Sequence, residues 1–259
     1  MERILKLALV AGVALAFNFS QVWAEPLKVG FGAEPYPPFT EANASGEWVG
    51  FEIDLAKALC EEMKVECVPT PIAWDGIIPA LTSGQIDMIL GSMSITEERK
   101  QTVDFSDRYY YTPSVFVAMK GSGIDASAAG LKGKILGVQS ATTNADYAEK
   151  TFTDGVEIKY YNTQDEVNAD LLAGRIDVML ADQLAMDTFV KSEAGQDTEV
   201  VATAPADPAF GEGIGVAVRK DDAELLAKVN AGIKALLDSG KYDEIAKKYF
   251  DFDIYGPRT

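Results

Sequence analysis

The feature that most limits what this chain can fold into is a seven-residue stretch that occurs twice. Gly84-Gln85-Ile86-Asp87-Met88-Ile89-Leu90 matches Gly174-Arg175-Ile176-Asp177-Val178-Met179-Leu180 at Gly, Ile, Asp and Leu. Each copy ends a series of apolar strand-like runs alternating with helical patterns. Before the first come a strand over Lys28 to Phe31, a helix from Phe51 and a strand over Val65 to Val68. A helix from Asp75, which can cap it, then runs to about Ser83 and leads into strand Ile86 to Leu90. The second series reads as strands Ile135 to Gln139, Ile158 to Tyr161 and Ile176 to Leu180, with helices Thr143 to Lys150 and Asp165 to Ala173. Such alternation predicts two α/β lobes built alike, each a mainly parallel sheet covered by helices.

After Leu180 the chain returns. Phe210 to Val218 is glycine-rich and then strand-like, and Asp222 can cap a helix with Leu225, Val229, Ile233 and Leu236 on one face. Tyr242 to Tyr249 reads as a last helix. No low-complexity linker separates the series, so crossings near Tyr111 to Val115 and Pro208 to Gly215 should join the lobes. This assigns residues 25–111 and 213–259 to a discontinuous first lobe and 112–212 to a second.

Residues 1–24 carry Arg3 and Lys6, then an uncharged apolar run from Leu7 to Phe17, then Val22-Trp23-Ala24. This resembles a secretory signal peptide cleaved after Ala24, and the run is too short for a transmembrane span of roughly 20 residues. The expected location is therefore the periplasm. Export gives Cys60 and Cys67 two alternatives, a disulfide or two buried thiols, and an oxidising compartment permits the first. With no histidine in the chain, histidine-based triads and histidine metal sites are excluded. A net charge of −17 argues against nucleic-acid partners, and no cofactor or metal is expected.

Two residues after each closing leucine stands a polar side chain, Ser92 or Asp182. Both would lie beyond the carboxyl end of a strand, where open α/β sheets bind ligands. Ser92-Met93-Ser94 offers hydroxyls and backbone N–H groups, and Arg99 follows; an arginine there can hold a carboxylate through two parallel hydrogen bonds. Thr142 and Thr143 open a helix, where free N–H groups attract an anion. Asp182 supplies a negative charge, and Tyr36 and Trp74 supply aromatic walls. Together these groups can bind a carboxylate and an ammonium at once, as a free amino acid requires. Each alone also has an ordinary structural role as a helix cap, a solvated charge or a core residue.

Several segments carry a family resemblance: Tyr36-Pro37-Pro38-Phe39, Gly50-Phe51-Glu52-Ile53-Asp54-Leu55, Trp74-Asp75-Gly76-Ile77, Ser92 to Arg99, Gly174-Arg175-Ile176-Asp177 and Lys247-Lys248-Tyr249-Phe250. On these the chain resembles the extracytoplasmic solute-binding proteins of family 3, which serve polar amino-acid ABC transporters. The resemblance implies a type II periplasmic-binding-protein fold of two lobes joined by two hinge strands. It implies that Arg99 clamps an α-carboxylate with help from Ser92 and Thr143, and that Ser94 and Asp182 meet the α-amino group. It further implies that Tyr36 and Trp74 pack on the ligand side chain, and that Cys60 and Cys67 form a disulfide. Binders of lysine and arginine in this family often carry an acid three residues before the tyrosine. Here that position is Ala33, with Glu34 beside it. Gln139 and Met93 complete the expected ligand set.

The function expected is a receptor, not an enzyme. It would bind a free L-amino acid, by preference cationic, as a monomer and deliver it to a membrane permease with its cytoplasmic ATPase. Cation–π contact with Tyr36 and Trp74, worth roughly 0.5–2 kcal/mol, favours a guanidinium or ammonium side chain, and Glu34 can neutralise its tip. The alternatives are a receptor for polar neutral amino acids or opines, and a cyclic-acid dehydratase acting on prephenate or arogenate on the same scaffold.

Overall fold

A computed structural model describes residues 25–256, so the leader expected over residues 1–24 lies outside the described residues. The chain begins with strand β1 (Leu27–Gly32), a small hairpin of β2 (Glu41–Ala42) and β3 (Trp48–Val49), and helix α1 (Phe51–Met63). Strand β4 (Cys67–Ile72), helix α2 (Ile77–Thr82), and strands β5 (Met88–Ile89) and β6 (Val103–Tyr110) follow. It then crosses to β7 (Ser114–Met119), β8 (Ile135–Gln139), α3 (Thr143–Thr151), β9 (Glu157–Tyr161), α4 (Gln164–Leu172), β10 (Val178–Asp182), α5 (Gln183–Lys191) and β11 (Thr198–Thr203). It returns as β12 (Ile214–Arg219) and ends in α6 (Ala223–Asp238) and α7 (Lys241–Ala246).

Two five-stranded sheets result, ordered β4-β1-β5-β12-β6 and β11-β7-β10-β8-β9. Both are mixed, where mainly parallel sheets were expected. Strands linked by helical crossovers pair in parallel, as in β4-β1-β5 and β10-β8-β9. Pairings to the strands next to the crossings between sheets, β6 with β12 and β7 with its neighbours, are antiparallel. A helix covering one sheet face imposes parallel pairing, whereas a strand arriving from the other sheet carries no such constraint.

The repeated heptapeptide does the same work in each sheet. Asp87 accepts the Lys28 N–H at 2.9 Å and Asp177 accepts the Ile135 N–H at 2.8 Å, each tying its copy to the start of a neighbouring strand. Ile86 fills the space beside Gly30, and Ile176 the space beside Gly137. A methyl group on either glycine would fall within 2.5 Å of that isoleucine's Cδ1. The internal match is thus a packing unit of isoleucine over glycine, buttressed by an aspartate.

Helix α1 buries Phe51, Leu55 and Leu59 and packs on α6, whose stripe of Leu225, Val229, Ile233 and Leu236 is buried. Asp222 caps α6 by accepting the Leu225 N–H at 3.1 Å. Cys60, near the end of α1, is disulfide-bonded to Cys67 at the start of β4. Strand β4 extends past the expected Val68 to Ile72 through Pro69 and Pro71, which it accommodates because it is an edge strand.

Two helix expectations are corrected. Asp75 caps no helix: it lies within a single 3₁₀ turn, Trp74–Gly76, and α2 starts only at Ile77 with no side-chain cap. The last helix stops at Ala246 instead of continuing to Tyr249.

Candidate functional site

The two sheets face one another across a cavity lined from the first side by Glu34, Tyr36, Glu52, Trp74, Ser92, Ser94 and Arg99. From the second side come Gln139, Thr142, Thr143, Asn144, Gln164 and Asp182. All the expected ligand-facing residues line it except Met93. That side chain is 1% exposed and packs in the core with Ile77, Leu81 and Ile89. The left-handed turn at Ser92 and the bridge of Ser94 to Ile214 leave both serines on the cavity wall and the Met93 side chain in the core.

On the first side, Ser92 sits in the left-handed region at φ 55°, and its N–H donates to Glu52 Oε1 at 2.6 Å. Glu52 also accepts from the Ser92 hydroxyl and from the Tyr109 hydroxyl at 2.6 Å. Burial pushes the Glu52 carboxyl up to about 7, although the hydrogen bonds from Tyr109 and Ser92 pull the other way. Arg99 donates to the Ser94 carbonyl at 3.1 Å and reaches across the cleft to the Ala141 carbonyl, also at 3.1 Å. The guanidinium stands over the Trp74 ring, 5.8 Å from its centroid. Burial lowers the Arg99 pKa, and the nearby Asp146, Asp182 and Glu98 oppose that shift.

On the second side, Asp182 ends β10 and accepts the Asn144 amide at one oxygen and the Tyr36 hydroxyl at the other, both at 3.1 Å. Burial raises its pKa, and these two hydrogen bonds and Arg99 oppose the rise. Tyr36 is held un-ionised, its pKa raised well above 10 by burial and then by Asp182. Thr142 caps α3 by accepting the Ala145 N–H. Thr143 lies 3.5 Å, hydroxyl to hydroxyl, from Ser94 across the cleft. Gln139 donates to the Asn162 carbonyl at 3.2 Å. The Glu34 carboxylate makes no hydrogen bond or ion pair among the described residues.

The cavity wall therefore sets two carboxylates, Glu34 and Asp182, against one guanidinium, while the Glu52 carboxyl is raised to about 7 and occupied by Ser92 and Tyr109. Tyr36 and Trp74 add apolar surface between them. A molecule that satisfies this wall carries a carboxylate for Arg99 and positive charge elsewhere.

Sequence reasoning did not place Glu52, Asn144, Gln164 or Ala141 in the site. Glu52 carried a usable clue, an acid between Phe51 and Ile53 on a helix whose first turn is buried. Asn144 is 6% exposed, and its Oδ1 is buried with no hydrogen-bond partner among the described residues. Nothing in the sequence distinguishes it from other polar residues in the first turn of a helix.

Comparison with known proteins agrees with this architecture. The chain is 46% identical over 256 residues to the L-arginine-binding protein of Pseudomonas aeruginosa, covering 97% of this chain and 98% of that one. It is 41% identical to the lysine/arginine/ornithine-binding periplasmic protein of Escherichia coli K12, covering 98% and 99% of the two chains. Among solved structures, an ancestral arginine-binding protein bound to arginine superposes with a TM-score of 0.81 at 37% identity, over 88% of this chain and 99% of that one. An ancestral amino-acid-binding protein described as a precursor of cyclohexadienyl dehydratase superposes at 0.76, with 34% identity, over 87% and 95%. Both named relatives are binding proteins. Residues 27–252 match the family described as bacterial extracellular solute-binding proteins, family 3, and the chain belongs to that family.

Proposed function

We propose that this chain is the periplasmic substrate-binding component of an amino-acid ABC transporter and that it holds a free cationic L-amino acid between its two lobes. The observation that carries this reading is the unequal charge of the cavity wall, Glu34 and Asp182 against the single guanidinium of Arg99. Arg99 takes the α-carboxylate, assisted by Ser92 and Thr143. Asp182 and Ser94 take the α-ammonium. Tyr36 and Trp74 enclose the aliphatic stem, and Glu34, which makes no hydrogen bond or ion pair among the described residues, meets the cationic end. The names of the relatives, which include arginine and lysine/arginine/ornithine binders, support the same substrate class.

Residues 25–111 with 213–259 form one lobe in this reading, and residues 112–212 the other. A ligand held by Arg99 on one lobe and Asp182 on the other has its full contacts only when the cleft is shut, so it shifts the population toward the closed form. Closure presents the permease and its ATPase with a surface that reports occupancy. The receptor acts as a monomer.

Equilibrium dialysis against labelled L-arginine, followed by chromatography of the released ligand, tests this function. One unaltered arginine per chain is expected; no retention contradicts the reading. The dehydratase reading has one observation in its favour, the Glu52 carboxyl near 7 on the cavity wall, a suitable range for a general acid. Turnover of prephenate or arogenate would establish it, and retention without turnover would exclude it.

A further inference from the structure

We infer that the Ala141 carbonyl is a latch for the closed cleft and a positioning group for Arg99. This carbonyl accepts two donors from the opposite side, Trp74 Nε1–H at 3.0 Å and Arg99 Nη2–H at 3.1 Å. Ala141 occupies the turn between β8 and α3 and adopts the left-handed region, φ 57°. A residue with a Cβ is uncommon there, and such outliers persist where surrounding structure holds them. At Thr142 the chain returns to extended geometry and caps α3. The first helical acceptor is the Thr142 carbonyl, which takes the Asp146 N–H, so the Ala141 carbonyl lies outside the helical ladder and points across the cleft.

The arrangement makes Arg99 a crossbar. One terminal nitrogen is fixed to the Ser94 carbonyl on its own side and the other to Ala141 on the far side. The Trp74 ring beneath the guanidinium is fixed by the same carbonyl. Three groups thus orient one another, and none of these contacts needs a bound molecule. They stabilise the shut arrangement by themselves, so the ligand-free protein populates it, and they slow the escape of whatever is held inside.

Trp74→Phe tests this, because it removes the N–H donor while keeping a smaller aromatic ring beneath the guanidinium. Spin labels on cysteines introduced by Gln85→Cys and Lys150→Cys, both exposed positions on opposite lobes, report the closed-to-open ratio with the native disulfide intact. Loss of one hydrogen bond should lower that ratio about twofold to tenfold without ligand. L-arginine should then dissociate faster by a similar factor. Ala141→Val, which disfavours the left-handed backbone, should behave like Trp74→Phe. Ala141→Gly keeps the carbonyl in place and should stay within about twofold of the natural protein. An unchanged ligand-free ratio in Trp74→Phe, or a ligand-free natural protein that is wholly open, overturns the latch. Only the arginine arm rests on the proposed function; the ligand-free ratio tests the latch even if arginine does not bind.

Discussion

The Tyr36 hydroxyl donates to Asp182 Oδ2 at 3.1 Å, joining residues 146 positions apart on opposite sides of the cleft. The other Asp182 oxygen is held by the Asn144 amide. The carboxylate is therefore fixed in direction before any ligand arrives, while its desolvation is offset only by neutral donors and the more distant Arg99. An ammonium group is the partner that would compensate this burial most fully.

Asp182→Asn should accordingly weaken L-arginine by about 30-fold to several thousand-fold, the range for removing one member of a buried charge pair. Its des-amino analogue should lose far less. Calorimetry on both ligands makes the comparison; equal losses would mean that Asp182 does not meet the ammonium group.

Arg99→Ala should weaken binding about 30-fold to several thousand-fold while leaving the fold intact. The guanidinium's contacts are to two backbone carbonyls and the Trp74 ring, all at the cleft. An unchanged circular-dichroism spectrum with lost calorimetric heat is expected. Unchanged affinity would refute the carboxylate clamp.

Glu52 gives a pH dependence with a definite sign. Its carboxyl lies at about 7 in the folded chain against 4.5 unperturbed. Its contribution to stability is therefore fully present below about pH 4.5 and is lost as pH rises through about 7, by on the order of 3 kcal/mol. Glu52→Gln mimics the protonated form, with a carbonyl for the Ser92 and Tyr109 donors. The difference in urea-unfolding stability between this variant and the natural protein should grow in favour of the variant from pH 5 to 8. Asp170, which is lowered by Arg175 and Lys159 far from this site, titrates alike in both proteins and cancels in that difference. A difference that does not vary with pH would contradict the assignment.

The disulfide closes a short loop, with its cysteines seven positions apart. Replacing both by serine should cost about 2–3 kcal/mol of stability in the chain-entropy model. Binding affinity should stay within about twofold, because the bond lies at the far end of α1 from Glu52. Denaturant titration and calorimetry on the same variant check both halves of the statement.

What could be read from the sequence followed the reach of each interaction. The stripe on α6 and its Asp222 cap are local, and they appear as expected. The heptapeptide match located two equivalent strands, and with them Ser92 and Asp182 on the cavity wall. The strand directions were harder, because β6, β7, β11 and β12 take theirs from the crossings between sheets and not from any local pattern. Met93 was misplaced because the left-handed turn at Ser92, which directs the methionine into the core, has no local sequence marker. The left-handed turn at Ala141 had no sequence marker, since alanine is not the residue that usually announces one.

The most direct test of the central claim is calorimetric titration of the mature, ligand-stripped chain with each of the twenty L-amino acids. The unequal charge of the cavity wall predicts binding of one molecule per chain, tightest for arginine, lysine or histidine, and no detectable heat from aspartate or glutamate. Tightest binding to an acidic amino acid, or no binding to any of the twenty, would contradict it.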